Sequence, residues 1–258
     1  MPKEIKLSKI STKAPKSLKK EDLMTPTLEL YERIGHLQHV LYAEKKHSVL
    51  VVFQGTDGSG KDGATQNVFS RCSPQGVRVE AFKKPSEEEM NHDFLWRIHA
   101  NTPEKGFMQV FNRSHYEDIL IQRVHKWIDE DRVHKRMAAI NAFEELLSFD
   151  NNTVILKFFM HISKDNQLKQ LKERLENPAK NWKHNAGDWE ERKLWDEYIK
   201  AYEYVLNNSS IPWYIVPVDN RWYRDYIIAS TIVRELEALN MKLPVLDKNA
   251  LLIENSED

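Results

Sequence analysis

Gly55-Thr56-Asp57-Gly58-Ser59-Gly60-Lys61-Asp62-Gly63 follows the apolar run Ser48 to Phe53 and opens a stretch of helical spacing from Ala64 to Cys72. A strand, a loop of the form G-x-x-x-x-G-K and a helix, in that order, make a phosphate-binding loop. The glycines let backbone N–H groups turn inward around phosphate oxygens. The helix N-terminus adds partial positive charge, and Lys61 reaches along the phosphates as a point charge. Gly58, Ser59, Gly60 and Lys61 are therefore candidate phosphate ligands, and Lys61 is also a catalytic candidate. The bland alternative is a Gly-rich turn between strand and helix.

Asp62 stands where a Ser or Thr hydroxyl would ordinarily hold magnesium, and Asp57 lies inside the loop. Two like charges about 4 Å apart repel by several kcal/mol at intermediate dielectric, so carboxylates beside phosphates make sense with Mg²⁺ between them. Asp57 is the expected metal-side ligand and a catalytic candidate. Asp62 is expected as its metal-side partner, or else as a helix-start carboxylate favoured by the dipole.

Four further apolar runs, Val77 to Phe82, Phe107 to Phe111, Thr153 to His161 and Trp213 to Val218, alternate with helical stretches at Asn91 to Ala100, Tyr116 to Phe149 and Lys164 to Glu176. Strand–helix alternation predicts an α/β fold with a five-stranded parallel sheet and helices on both faces. Ligands bind at the carboxyl edge of such a sheet. The third strand ends there with Asn112-Arg113-Ser114-His115-Tyr116-Glu117-Asp118. Arg113 can bridge phosphoryl oxygens and neutralise developing charge, and Asn112 can orient a metal-bound water. Lys83 and Lys84 close the second strand, and Arg97 is a further phosphate candidate. Asp219 and Asn220 stand at the same edge after the fifth strand.

Asn177 to Asn185 interrupts the helical pattern and predicts a lid over about 174–195, with Arg174, Lys180 and Lys183 around Trp182. A charge-laced helix is equally a solvated face, but lysines in a helix-breaking loop suit closure over phosphates. A long helix is expected from Asp188 to Leu206, with Trp189 and Trp195 as packing residues. Residues 1–24 are expected to be a flexible basic arm, or an extension hugging an edge, ahead of a helix capped at Thr25-Pro26. Residues 25–244 form the domain and 245–258 a tail.

The 258 residues, 41% of them hydrophobic, suffice for one core plus a small lid. The net charge of -1 argues against a general nucleic-acid coat, so a polyanion must bind locally. No apolar run approaches a membrane span, and the single Cys72 fits a reducing, cytoplasmic setting.

These motifs together resemble family-2 polyphosphate kinases, P-loop kinases related in fold to thymidylate kinase. The likeness covers roughly Leu30 to Leu243. It rests on the phosphate loop, on Phe111 to Asp118, on Arg174 with Asn177-Pro178-Ala179-Lys180-Asn181-Trp182-Lys183, and on Pro212-Trp213-Tyr214 with Val216 to Asp219. The resemblance implies a P-loop kinase three-layer fold with a helical lid, Mg²⁺, and reversible phosphoryl transfer between inorganic polyphosphate and a nucleotide. It also implies a homo-oligomer, dimer or tetramer. The form Asn112-Arg113-Ser114-His115-Tyr116-Glu117-Asp118 resembles the subgroup accepting both AMP and ADP, with Glu117 shaping the acceptor site. On this reading Lys83, Arg113, Arg174, Lys180 and Lys183 line the polyphosphate path. The competing expectations are an ATP-dependent nucleoside monophosphate kinase and a non-catalytic P-loop sensor.

Overall fold

The computed structural model describes residues 4–246. Five parallel strands, β1 (Ser48–Gln54), β2 (Val77–Ala81), β3 (Met108–Asn112), β4 (Thr153–His161) and β5 (Trp213–Pro217), form one sheet in the order β2-β3-β1-β4-β5. The helices are α1 (Lys20–Glu44), α2 (Lys61–Val68), α3 (Glu87–Met90), α4 (Trp96–His99), α5 (Glu117–Val124), α6 (Glu130–Asn151), α7 (Lys164–Glu176), α8 (Gly187–Lys193), α9 (Trp195–Asn208) and α10 (Arg221–Ala238).

Alternation along the central strand separates two cores. Val49, Val51 and Phe53 point to one face, with Ile34 and Leu41 of α1, Ala64 of α2 and Ile232 of α10. Leu50 and Val52 point to the other, with Ile119 of α5, Ile140 of α6 and Val205 of α9. A strand covered on both faces has no solvated side, which is why β1 is apolar at most positions and buried throughout. Because every strand runs the same way, the ends of β1, β3, β4 and β5 deliver their loops to one edge.

Several elements differ from expectation. α1 begins at Lys20, so Pro26 lies inside it rather than at its first position; Thr27 Oγ1 donates to the Leu23 carbonyl in the same turns. The stretch from Tyr116 to Phe149 is two helices, because Lys126 takes a left-handed conformation and Asp129 caps a new start through the Arg132 N–H. Asp188 to Leu206 likewise breaks at Leu194. The break lets α8 turn Asp188 and Glu191 toward the phosphate loop while α9 packs Ala201, Tyr202, Val205 and Leu206 inward.

The basic N-terminal stretch is not a loose arm over its described part. Leu7 is buried, the Ile5 N–H donates to Asn207 and the Leu7 N–H to Glu203. Thr12 and Ala14 bond to Asp219 and Asn220. From Ile5 to Ala14 these bonds hold the stretch against α9 and the loop after β5. Most of the expected tail, residues 247–258, lies outside the described residues.

Candidate active site

The phosphate loop joins β1 to α2. Gly58 and Gly60 have φ of 83° and 84°, and a Cβ on Gly60 would stand 2.5 Å from Arg224 Nη1. Only glycine fits both demands. Lys61 is buried and folds back over the loop, donating to the carbonyls of Gly55 at 2.7 Å and Thr56 at 3.2 Å. Burial pushes its ammonium below the ordinary range, with Asp57 pulling the other way. Thr56 Oγ1 and Ser59 Oγ are buried with no hydrogen-bond partner among the described residues. Such orphaned hydroxyls in a loop of inward-turning N–H groups fit a phosphate.

Arg113 comes to this loop from the end of β3. Its φ of 64° is in the left-handed region, and its guanidinium pairs with Asp57 Oδ1. Strained backbone of this kind persists where surrounding structure over-determines it. Burial alone would lower the guanidinium pKa, but Asp57 and Glu117 outweigh it and hold the group charged. Below it, Ser114 Oγ donates to Gln54 Oε1, and Gln54 Nε2 donates to Glu117 Oε1 at 2.5 Å. One buried glutamine on β1 thus fixes both ends of the Arg113 to Glu117 turn.

His115 and Tyr116 anchor the same turn from beneath. Both donate to Glu144 of α6, which also pairs with Lys157 of β4 at 2.5 Å, and all four side chains are buried. The four form one hydrogen-bonded cluster away from solvent.

The segment from Arg174 to Asp188 lines the other side of the larger cavity. Arg174 pairs with Asp188, Lys180 with Glu173 at 2.5 Å, and Lys183 with Asp62 Oδ2 at 2.9 Å. Asn112 Nδ2 donates to the other Asp62 oxygen at 2.7 Å. Partial burial pushes the Asp62 carboxyl up, yet the bonds from Lys183 and Asn112 prevail and hold it below the carboxylate range. Asp188 shifts the opposite way: burial, then the negative charge of Asp57, raise it despite Arg174.

Two cavities meet here. The larger, about 580 Å³, is lined by the phosphate loop, α7, the lid lysines and Arg221 and Arg224, with seven basic side chains against four acidic. The smaller, about 210 Å³, is lined by Glu117, Glu191, Trp195, Tyr198 and Tyr202, with four acidic side chains against Arg113. Asp57, Arg113, Asn185 and Asp188 belong to both walls.

Most of the expected site residues therefore converge. Asp57, Gly58, Ser59, Gly60, Lys61, Asp62, Asn112, Arg113, Arg174, Lys180 and Lys183 line the larger cavity, and Glu117 the smaller. Lys83 does not line either. It is exposed beyond β2, and its carbonyl accepts from Arg97 Nη1 at 2.9 Å. Arg97 is itself buried against Asp118, which occupies it structurally rather than with phosphate. Asp219 and Asn220 hold the N-terminal stretch, and Trp195, expected as packing alone, also lines the smaller cavity.

The sequence pattern does not single out Asp188, Arg224 or the tyrosines of α9. Asp188 and Glu191 had a faint signal, as acids in a lid otherwise read for its cations; Arg224 follows the fifth strand by a turn of helix and had none. Asp57 and Asp188, two hard carboxylates whose like charges oppose each other, fit a divalent cation. Among the described residues no group of three or more His, Cys, Asp and Glu is placed to hold a metal. Among the described residues no helix is long and apolar enough to cross a membrane.

The family described as polyphosphate kinase 2 matches residues 17–244. The chain is 47% identical over 218 residues to the AMP/ADP-polyphosphate phosphotransferase of Meiothermus ruber, covering 83% of this chain and 81% of that protein. It is 43% identical over 228 residues to the ADP-polyphosphate phosphotransferase of Rhodopseudomonas palustris, covering 83% and 78%. The crystal structure of polyphosphate kinase 2 from Arthrobacter aurescens superposes with a TM-score of 0.92 at 36% identity, covering 96% of this chain and 90% of that one.

Proposed function

The chain belongs to the polyphosphate kinase 2 family, and from that premise we propose that it transfers a phosphoryl group, with Mg²⁺, between inorganic polyphosphate and AMP or ADP. The observation that carries the reading is the meeting of two cavities of opposite charge balance at Asp57, Arg113, Asn185 and Asp188. A polyanion is attracted to the larger, basic cavity and repelled from the smaller, acidic one. The smaller suits the uncharged base and ribose of a nucleotide, with aromatic Trp195, Tyr198 and Tyr202 beside the carboxylates of Glu117 and Glu191. The likeness to an AMP/ADP phosphotransferase supports the choice of acceptors.

Phosphoryl transfer has a loose transition state, so positioning and charge neutralisation carry the rate. The attacking group is an anionic phosphate oxygen and needs no strong base. Arg113, on the shared wall, neutralises charge on the transferred group. Loop N–H groups with Thr56 and Ser59 hydroxyls hold the phosphates, and Lys61 leaves its loop carbonyls to reach them. Asp57 and Asp188 would hold Mg²⁺, which supplies further neutralisation when bound. Asp57 pairs with Arg113 and Asp188 with Arg174; were those carboxylates to hold the metal, both guanidiniums would be free to face phosphate oxygens. Asp62 keeps Lys183 over the loop. The basic path runs through Arg174, Lys180 and Lys183; Lys83 stands outside it. A homo-oligomer and a cytoplasmic setting remain part of the proposal.

The test is nucleotide product analysis with AMP, and separately ADP, plus polyphosphate and Mg²⁺ without ATP. The expected result is ATP from ADP, and ADP followed by ATP from AMP. ADP alone from AMP, with nothing from ADP, would overturn the dual acceptor. No product until ATP is supplied as donor would move the protein to the ATP-dependent monophosphate kinases.

A further inference from the structure

The N-terminal stretch does more than cover an edge. From Ile5 to Lys20 the sequence has no acidic residue, and Lys9, Lys13 and Lys16 are all exposed. Lys6 pairs with Glu4 and Glu203, but none of Lys9, Lys13 and Lys16 is in an ion pair among the described residues. This contrasts with the larger cavity, where the cations of the lid are neutralised in advance by Asp188, Glu173 and Asp62.

The position of the stretch gives those charges a direction. The Asp219 N–H donates to the Thr12 carbonyl at 2.9 Å, Thr12 Oγ1 donates to Asp219 Oδ2 at 2.8 Å, and the Ala14 N–H donates to Asn220 Oδ1 at 3.0 Å. Lys13 is therefore clamped between two anchor points on the loop after β5. Val218 and Arg221, the residues on either side of Asp219-Asn220, both line the larger cavity. Ser11 and Lys13 close a local turn through the Ser11 hydroxyl, which fixes the backbone that carries the lysine. Lys13 is thus fastened one residue outside the rim of a basic cavity, with Lys9 and Lys16 within about four residues of it along the same stretch.

Resting on the polyphosphate reading above, we infer that Lys9, Lys13 and Lys16 form an outer track for the part of a long polyphosphate chain that leaves the larger cavity past Arg221. A linear polyphosphate carries about one charge per internal unit, and its binding follows counterion release as for other polyanions. Short chains end inside the cavity and do not reach the track. The track adds affinity for long chains and takes no part in the transfer itself.

The test compares the full chain with the variant Lys9→Gln, Lys13→Gln, Lys16→Gln, which keeps the Thr12 and Ala14 anchors. Equilibrium binding of tripolyphosphate, and of polyphosphate several tens of units long, is measured by calorimetry across a salt series. For the long chain, Kd at low salt is expected to rise roughly tenfold and the slope of log Kd against log salt to fall by roughly 2, since each lost single-strand contact removes about 0.7. Tripolyphosphate binding stays unchanged, and the triple arginine variant binds like the original. Equal weakening for both lengths, or none for the long chain, overturns the track. Because binding is read without turnover, intact long-chain binding with no transfer to AMP or ADP would fail the proposed function and leave the track standing.

Discussion

Lys183 in the lid donates to Asp62 Oδ2 at 2.9 Å, tying the turn between α7 and α8 to the first turn of the phosphate-loop helix. The pair is exposed at its carboxylate end, so its worth to stability is at most about 1 kcal/mol. Its value lies in where it holds the lysine, beside the residue that replaces the usual hydroxyl of the motif.

Lys183→Ala is expected to raise KM for polyphosphate several-fold while the denaturation midpoint barely moves. Adding Asp62→Asn should change little further, because both act through one contact. Steady-state kinetics on the two single variants and the double check this. Additive losses would assign Asp62 a separate role at the metal or the phosphates.

Arg113→Lys keeps a positive charge but loses the planar fork that spans two oxygens. Its kcat should fall by about 10², the scale of removing one preorganised donor to a transition-state oxyanion. KM for the nucleotide should hold. A variant with full kcat would show that charge alone is needed on the shared wall.

Glu144 accepts from His115, Tyr116 and Lys157 inside the protein. Burial alone would raise its carboxyl, but His115 and Lys157 outweigh it, leaving the pKa below its ordinary 4.5. A carboxylate depressed in the folded state contributes stability that is complete above the unfolded value and lost as pH falls through the folded one. Glu144→Gln strands a buried lysine and should cost about 3–5 kcal/mol at neutral pH. Urea midpoints should show the gap to the unmodified protein narrowing below pH 4.5. A gap that stays constant into acid would deny Glu144 its charge.

Cys72 is half-buried, and burial pushes its thiol up to about 12. The thiolate is the reactive species. Iodoacetamide at mildly alkaline pH should therefore leave the native protein unlabelled and modify it fully in denaturant. Rapid native labelling, followed by mass spectrometry, would contradict this.

The phosphate loop, the five strands and the Arg113 turn were legible because each is a local pattern. A glycine that needs a positive φ, an apolar alternation or a strand-end arginine can be read within a few residues. The break within 116–149, and the one that divides the long helix expected over 188–206, are not legible because helical spacing continues across a break that one left-handed residue or one turn creates. Lys83 lines neither cavity. It lies at the right edge of the sheet, but β2 is an outer strand, and its loop leads to Arg97 rather than to the cavities.

The amino-acid order by itself determined the phosphate chemistry and the layered fold, since hydrogen-bonding geometry and hydrophobic period act over short stretches. Tertiary structure alone decided the partners. Asp188 reached Arg174 and Asp57, Lys183 reached Asp62, and Gln54 joined Ser114 to Glu117 only once the parallel strands had brought their loops to one edge. Charge interactions depend on distance and burial, and neither is set until the chain has packed.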